Sequence, residues 1–153
     1  MPENTAGRAP AGNPGFRLNV VSRQLTRYFD RRLGELGVNV SYLPVLGALR
    51  ESKRLSQKEL VQAGRIGQPA MAQMLERMVK EGLLVRTPDA TDGRKVLFGL
   101  SKKAETKMTD IRSTLADGND RIFSTLADAE FEAFIASLEK IEARLEALLE
   151  AGE

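Results

Sequence analysis

Histidine and cysteine, the side chains that most often carry proton-transfer, nucleophilic and zinc chemistry, are both absent from the 153 residues. That removes disulfides, thiol catalysis, thiol redox switching, imidazole proton transfer and nearly all zinc sites. A hydroxyl nucleophile with a lysine base, or a carboxylate pair, survives in principle. No motif for either is present, so no enzyme, metal site or cofactor is expected. The remaining polar chemistry is that of recognition: Arg and Lys neutralise phosphates, and Gln and Arg hydrogen-bond base edges. Net charge is only +2, but it is unevenly spread. Residues 1–49 carry 6 basic and 3 acidic side chains, residues 50–103 carry 12 and 6, and residues 104–153 carry 5 and 12. A basic middle beside an acidic last third is a nucleic-acid signal. Long glutamate-rich helices produce the same asymmetry, so charge alone leaves both readings open.

The elements that must position these side chains are legible from periodicity and punctuation. With 42% hydrophobic and 29% charged residues, the chain has the composition of a globular protein with one real core. No apolar run approaches the roughly 18 residues of a membrane span. The opening MPENTAGRAPAGNPG is polar and lacks the apolar centre of a secretory signal. Residues 1–15 are therefore read as a flexible tail, and the expected location is cytoplasmic. Residues 16–36 place Leu18, Val21, Leu25, Tyr28, Phe29 and Leu33 at helical spacing, with a stop at Gly37. Ser41 is read as the cap of a second helix, whose Leu43, Leu46 and Leu49 face inward.

Ser56-Gln57-Lys58-Glu59 has the form of a capping box and opens a short third helix to about Ala63. After the break Gly64-Arg65-Ile66-Gly67, Gln68-Pro69 begins a helix to about Glu81, with Met71, Met74, Leu75 and Met78 on its buried face. Gly82 ends it. Residues 83–87 and 95–100 read as two strands around a turn-rich tip, Pro88 to Arg94, with Val96 and Phe98 on one face and Leu97 and Leu100 on the other. Ser101 caps a helix to about Ser124. Asp128 caps a last one striped by Phe131, Phe134, Ile135, Leu138, Ile141, Leu145, Leu148 and Leu149.

Two short helices joined by a tight glycine-containing turn and followed at once by a hairpin make a winged helix-turn-helix. The fold class expected is mainly α with a small β-hairpin wing. The winged helix-turn-helix (41–100) is flanked by an N-terminal dimerisation helix (16–40) and C-terminal dimerisation helices (101–153). A stripe as long as Phe131 to Leu149 exceeds what so small a chain can cover itself. A homodimer interface is therefore expected at Leu18, Val21, Leu25, Phe131, Phe134, Leu138, Ile141, Leu145 and Leu148, with Phe29 beside them.

From about Leu25 to Ala104 the chain resembles the MarR family of bacterial transcriptional regulators. The resemblance rests on SQKEL, on GQPAMAQMLERMVKEGLLVR and on the wing DATDGRKVLFGLS, of which Asp92-x-Arg94 after Pro88-Asp89 is the most specific part. It implies a triangular homodimer with interleaved terminal helices, a recognition helix in the major groove and a wing at the minor groove. Many members also release DNA when a small phenolic or anionic effector binds.

On this basis the recognition helix would present Gln68, Pro69, Ala70, Ala72 and Gln73 to base edges, a good bidentate Gln–adenine pair being worth about 1–3 kcal/mol of discrimination. Arg77 is read as a phosphate contact or as an ion-pair partner of Glu76 or Glu81. At the wing, Arg94 would enter a narrow minor groove, with Lys95 nearby, and the resemblance implies that Asp92 braces Arg94. Lys53, Arg54, Lys58 and Arg65 are candidates for phosphates. Arg23, Arg27, Tyr28 and Tyr42 could line an effector cleft.

The family often has Ser or Thr where this chain has Gly67 and Arg where it has Gln73, so base preference does not carry over. The function expected is a DNA-binding regulator, a ligand-responsive repressor on a pseudo-palindromic operator. The alternative, kept open by the acidic last third and by Gln73, is a dimeric interaction or ligand-binding module without specific DNA binding.

Overall fold

The computed structural model describes residues 12–152, so most of the expected tail lies outside the described residues. The first helix, α1 (Pro14–Gly34), begins inside the segment read as tail: Asn13 caps it, its side-chain oxygen accepting from the Phe16 N–H at 3.2 Å. Proline in the first turn forfeits no intrahelical bond. The helix ends before Gly37, which takes φ +71° and lets the Val38 N–H reach back to the Leu33 carbonyl at 3.1 Å.

A 3-10 turn (Val40–Tyr42) leads into α2 (Leu43–Ser52). The expected Ser41 cap is not formed: Tyr42 stands at the N-cap of α2 with no side-chain bond, and Asn39 caps the preceding 3-10 turn, its side-chain oxygen accepting from both the N–H and the hydroxyl of Ser41. Asn39 stands at the entry with extended backbone, so its oxygen can turn onto the following N–H groups. Val45, Leu46 and Leu49 are buried and Leu43 half-buried.

A short strand that periodicity did not reveal, β1 (Arg54–Ser56), precedes α3 (Gln57–Gly64). The capping box is formed as expected: the Glu59 N–H donates to Ser56 Oγ at 3.3 Å, and the Ser56 N–H to Glu59 Oε2 at 2.7 Å. The chain then turns at Arg65 in the left-handed region (φ 50°, ψ 38°), not at Gly64. Gly67 caps α4 (Gln68–Lys80), and Gly82 at φ +75° closes it.

The sheet has the order β1-β3-β2, all antiparallel, with β2 (Leu84–Pro88) and β3 (Val96–Leu100) forming the wing. Its register pairs Leu84 with Leu100, Arg86 with Phe98 and Leu55 with Phe98. By strand alternation Leu100 therefore shares the face of Val96 and Phe98, a correction to the expected split. That face closes over a core of Leu33, Leu46, Leu49, Leu60, Met71, Leu75, Met78, Leu83 and Leu84. Gly99 fits the central strand because a Cβ there would lie 3.2 Å from the Lys53 carbonyl oxygen.

Ser101 opens α5 (Lys102–Phe123) as expected, accepting from the Ala104 N–H at 3.1 Å and donating to the Gly82 carbonyl at 2.6 Å. The chain divides into two compact units after Thr114. In the second, α6 (Asp128–Glu150) begins one residue earlier than expected, with Ala127 as its cap and the Ala127 N–H donating to Glu130 at 2.8 Å. Alanine has no side-chain acceptor, so only the glutamate half of a capping box exists here. Phe123 packs edge-on against Phe131, with ring centroids 5.8 Å apart. No helix among the described residues is long and apolar enough to cross a membrane.

Candidate nucleic-acid interface

The two faces of α4 are chemically opposite. Met71, Leu75 and Met78 are buried and Met74 is half-buried, so the stripe anchors the helix to the core. Gln68, Pro69, Ala70, Gln73 and Arg77 are exposed and Ala72 is half-buried. A helix held by one face and presenting amides, small apolar groups and a cation on the other suits insertion into a major groove.

A residue that sequence reasoning missed supports this face. Gln57, in the first turn of α3, donates from Nε2 to Gln68 Oε1 at 3.1 Å. This bond restrains the Gln68 amide and leaves its two N–H donors and one oxygen lone pair uncommitted by that contact. No local pattern relates Gln57 to Gln68, because the bond exists only once the two helices cross.

The wing tip is a chain of short polar closures. Asp89 accepts from the N–H and the hydroxyl of Thr91, each at 3.0 Å, and these bonds hold its carboxyl below its ordinary 3.8. The backbone closes through Asp89 N–H to the Lys95 carbonyl and Lys95 N–H to the Asp92 carbonyl, both at 2.9 Å. Asp92 accepts from the Arg94 backbone N–H at 3.1 Å, while the side-chain contact to Arg94 Nε is long, 3.5 Å. Asp92 thus shapes the turn more than it grips the guanidinium. The Arg94 side chain is 94% exposed and projects from the tip, and Lys95 beside it is also exposed. Arg86, also missed, lies on β2 with its guanidinium 5.9 Å from the Phe98 ring centroid.

The candidate phosphate contacts are spread over several elements. Lys58 is exposed on α3, and Arg65 occupies the turn between α3 and α4. Lys53 and Arg54 are exposed at the end of α2 and on β1. Arg54 donates across the sheet to the Thr87 hydroxyl and, with Lys53 and Arg50, rims a cavity of about 390 Å³ floored by Leu49, Val85 and Met108.

Two of the effector-cleft candidates share a concavity. Arg23 and Arg27 line an open concavity of about 550 Å³ on α1, with Thr26, Asp30 and Arg31. Tyr28 receives a 2.7 Å hydrogen bond from Arg32 and packs against Phe29. Tyr42 is buried, and its hydroxyl donates to Glu81 at 3.1 Å.

Of the candidate dimer residues, Leu18 and Val21 on α1 are exposed and Leu25 is half-buried. Phe29 is only 8% exposed and belongs to the chain's own core, which corrects its place in the expected interface. On α6 no residue is buried: Phe131, Ile141 and Leu145 are exposed, and Phe134, Leu138 and Leu148 are half-buried.

Residues 36–95, from the loop after α1 to the wing tip, match the family model described as the MarR family. Over that stretch the chain is similar to this family. It is 22% identical over 126 residues to the HTH-type transcriptional regulator BilQ of Clostridium symbiosum, covering 82% of this chain and 88% of that protein. A cysteine-to-serine mutant of MarR from E. coli, complexed with operator DNA, superposes with a TM-score of 0.77 at 22% identity, over 83% of this chain and 91% of the other. BpsR of Bordetella bronchiseptica, whose DNA binding is regulated by 6-hydroxynicotinic acid, gives 0.80 at 23% identity, over 88% and 96%. At such identities these structural likenesses establish a shared MarR fold. The interaction-module alternative gains no support from any of them.

Proposed function

We propose that this chain is a MarR-family regulator that reads a pseudo-palindromic operator as a homodimer, and does so as a repressor whose hold on DNA is relieved by a small anionic or phenolic effector. The coarser part of this reading, a DNA-binding transcriptional regulator, is supported by the family match over residues 36–95 and by the likeness to a curated HTH-type regulator. The observation that carries the finer reading is the pairing of two presented elements: α4, with Gln68, Gln73 and Arg77 outward, and a wing tip from which Arg94 projects almost fully solvated. Gln68 and Gln73 would address base edges, with Pro69, Ala70 and Ala72 against thymine methyls. Arg94 would enter the minor groove, and Lys53, Arg54, Lys58, Arg65 and Lys95 would take phosphates.

The uncovered apolar surfaces on α1 and on α6 support the dimer. An isologous two-fold would set two recognition helices about one DNA turn apart. Arg23 and Arg27 offer guanidinium donors suited to a carboxylate or phenolate effector.

The test is selection of bound genomic fragments, followed by affinity measurement on the best site with wild type and Arg94→Ala. An imperfect palindrome bound at nanomolar concentration, with a marked loss for Arg94→Ala, supports the reading. Weak, sequence-indifferent binding unchanged by Arg94→Ala would overturn the role of the wing.

A further inference from the structure

Three elements of the first unit converge on one residue at the far end of the recognition helix. Glu81 is the residue at which α4 ends: its N–H donates to the Arg77 carbonyl at 2.9 Å. Its carboxylate accepts from the Tyr42 hydroxyl at 3.1 Å, and Tyr42 is 3% exposed at the junction of the 3-10 turn and α2. Its carbonyl accepts from Lys103 Nζ, in the first turn of α5, at 3.1 Å.

The elements that carry both partners are in turn tied to α1 or to the loop just after it. The Val40 N–H at the start of the 3-10 turn donates to Asp30 of α1 at 2.8 Å. Lys107, one turn beyond Lys103 on α5, donates to the Leu36 carbonyl just after α1 at 2.5 Å. Arg77, one turn before Glu81, also faces the Tyr42 hydroxyl.

We propose that Glu81 is a positioning residue for DNA recognition: Tyr42 on its carboxylate and Lys103 on its carbonyl fix the C-terminal end of α4, and so the angle at which the helix presents Gln68 and Gln73. The core stripe of Met71, Leu75 and Met78 holds α4 against the core, but apolar contact is non-directional and leaves a helix some freedom to roll and tilt. Directional hydrogen bonds at one end remove that freedom, and a charge-assisted bond from a buried phenol is of the stronger kind. Because the elements carrying both partners are bonded, through Val40 and Lys107, to α1 and the loop after it, a shift at the α1 corner would arrive at the reading helix through this joint. The inference rests on the DNA-binding reading above.

The experiment compares wild type, Tyr42→Phe, Glu81→Gln and the double variant, on the operator fragment recovered by selection. Tyr42→Phe keeps the buried ring and removes only the hydroxyl. Glu81→Gln removes a negative charge from a DNA-binding unit, which by long-range electrostatics alone would strengthen binding. The joint predicts the opposite: each single variant loses five- to tenfold in operator affinity, with an unchanged salt slope and a melting temperature within a degree or two of wild type. The double variant loses no more than Tyr42→Phe alone, because Glu81→Gln keeps an acceptor oxygen and only strips the charge assistance from the one bond that Tyr42→Phe removes. Unchanged affinity, losses that multiply in the double variant, or losses that track the melting temperature would overturn it.

A second readout needs no DNA. Amide exchange at Glu81, Gly82 and Leu83, whose N–H groups close the last turn of α4, should quicken in Tyr42→Phe. If wild type binds no operator yet this exchange quickens, the joint stands and the DNA-binding reading falls. Unchanged exchange removes the joint itself.

Discussion

Arg65 answers to two demands that pull apart. Its backbone sits at φ 50°, ψ 38°, a conformation that costs an L residue with a Cβ on the order of 1–2 kcal/mol. Its side chain is a candidate phosphate contact in the turn of the helix-turn-helix. Arg65→Gly relieves the first and deletes the second. Stability in a urea melt should change by less than about 1 kcal/mol, the relief being offset by the freer unfolded chain and by loss of the side chain's own interaction. Operator affinity should fall, and its dependence on salt should flatten by about one counterion. An unchanged salt slope would remove Arg65 from the phosphate contacts.

At the same scale, Asp89 titrates below its ordinary 3.8 because Thr91 donates to its charged form. A carboxylate lowered in the folded state adds stability that is complete above the unfolded value and lost as pH falls through the folded one. Amide exchange at Thr91 should therefore be insensitive to acid, after correction for intrinsic rates, until pH drops below about 4. Asp89→Asn should abolish that step, and if the step persists in the variant, another group controls the tip.

Among the elements, α3 is the one whose start depends most on two side chains. Ser56 and Glu59 satisfy each other's backbone N–H across the first turn, and Glu59 is held below its ordinary 4.5 by those Ser56 bonds. Ser56→Ala should cost about 1 kcal/mol, seen as a melting temperature lower by roughly 2–4 °C. A drop no larger than that of an exposed control such as Ser113→Ala would mean that packing of Leu60, not the cap, holds α3.

This helix was readable in the sequence because its signal lies within four residues. The strand β1 was not: Arg54-Leu55-Ser56 is too short for alternation to register, and it exists because β3 offers it a partner at Arg54–Gly99, Leu55–Phe98 and Ser56–Leu97. The displaced caps, Tyr42 for Ser41 and Ala127 for Asp128, mark the usual precision of a local signal, which names the turn but not which neighbour fills it.

For the whole molecule, uncovered apolar surface is the dominant fact. Ile141 is 44% and Leu145 53% exposed on α6, while Leu18 and Val21 are 41% and 47% exposed on α1. Burying a single leucine is worth about 1.5–3 kcal/mol, and several such residues per copy would sustain a dimer. Leu145→Glu should shift sedimentation towards monomer and weaken operator binding far more than half-site binding, since only a dimer joins two half-sites. A variant that stays dimeric at micromolar concentration would place the interface elsewhere.

The sequence by itself determined the order of the helices and of the wing hairpin, the buried stripe of α4, the capping box, the glycine at which α4 ends, and the turn-rich wing that holds Arg94 out. Each rests on residues three or four apart, where spacing alone decides which side chains share a face. Only the tertiary structure decided that Gln57 steadies Gln68, that Arg54 reaches Thr87, that Phe29 is core, and that Tyr42 meets Glu81 across 39 positions. Those pairings bring together groups whose separation along the chain carries no periodic signal. They form only because apolar burial has already fixed the elements that carry them, after which hydrogen-bond geometry selects the partner.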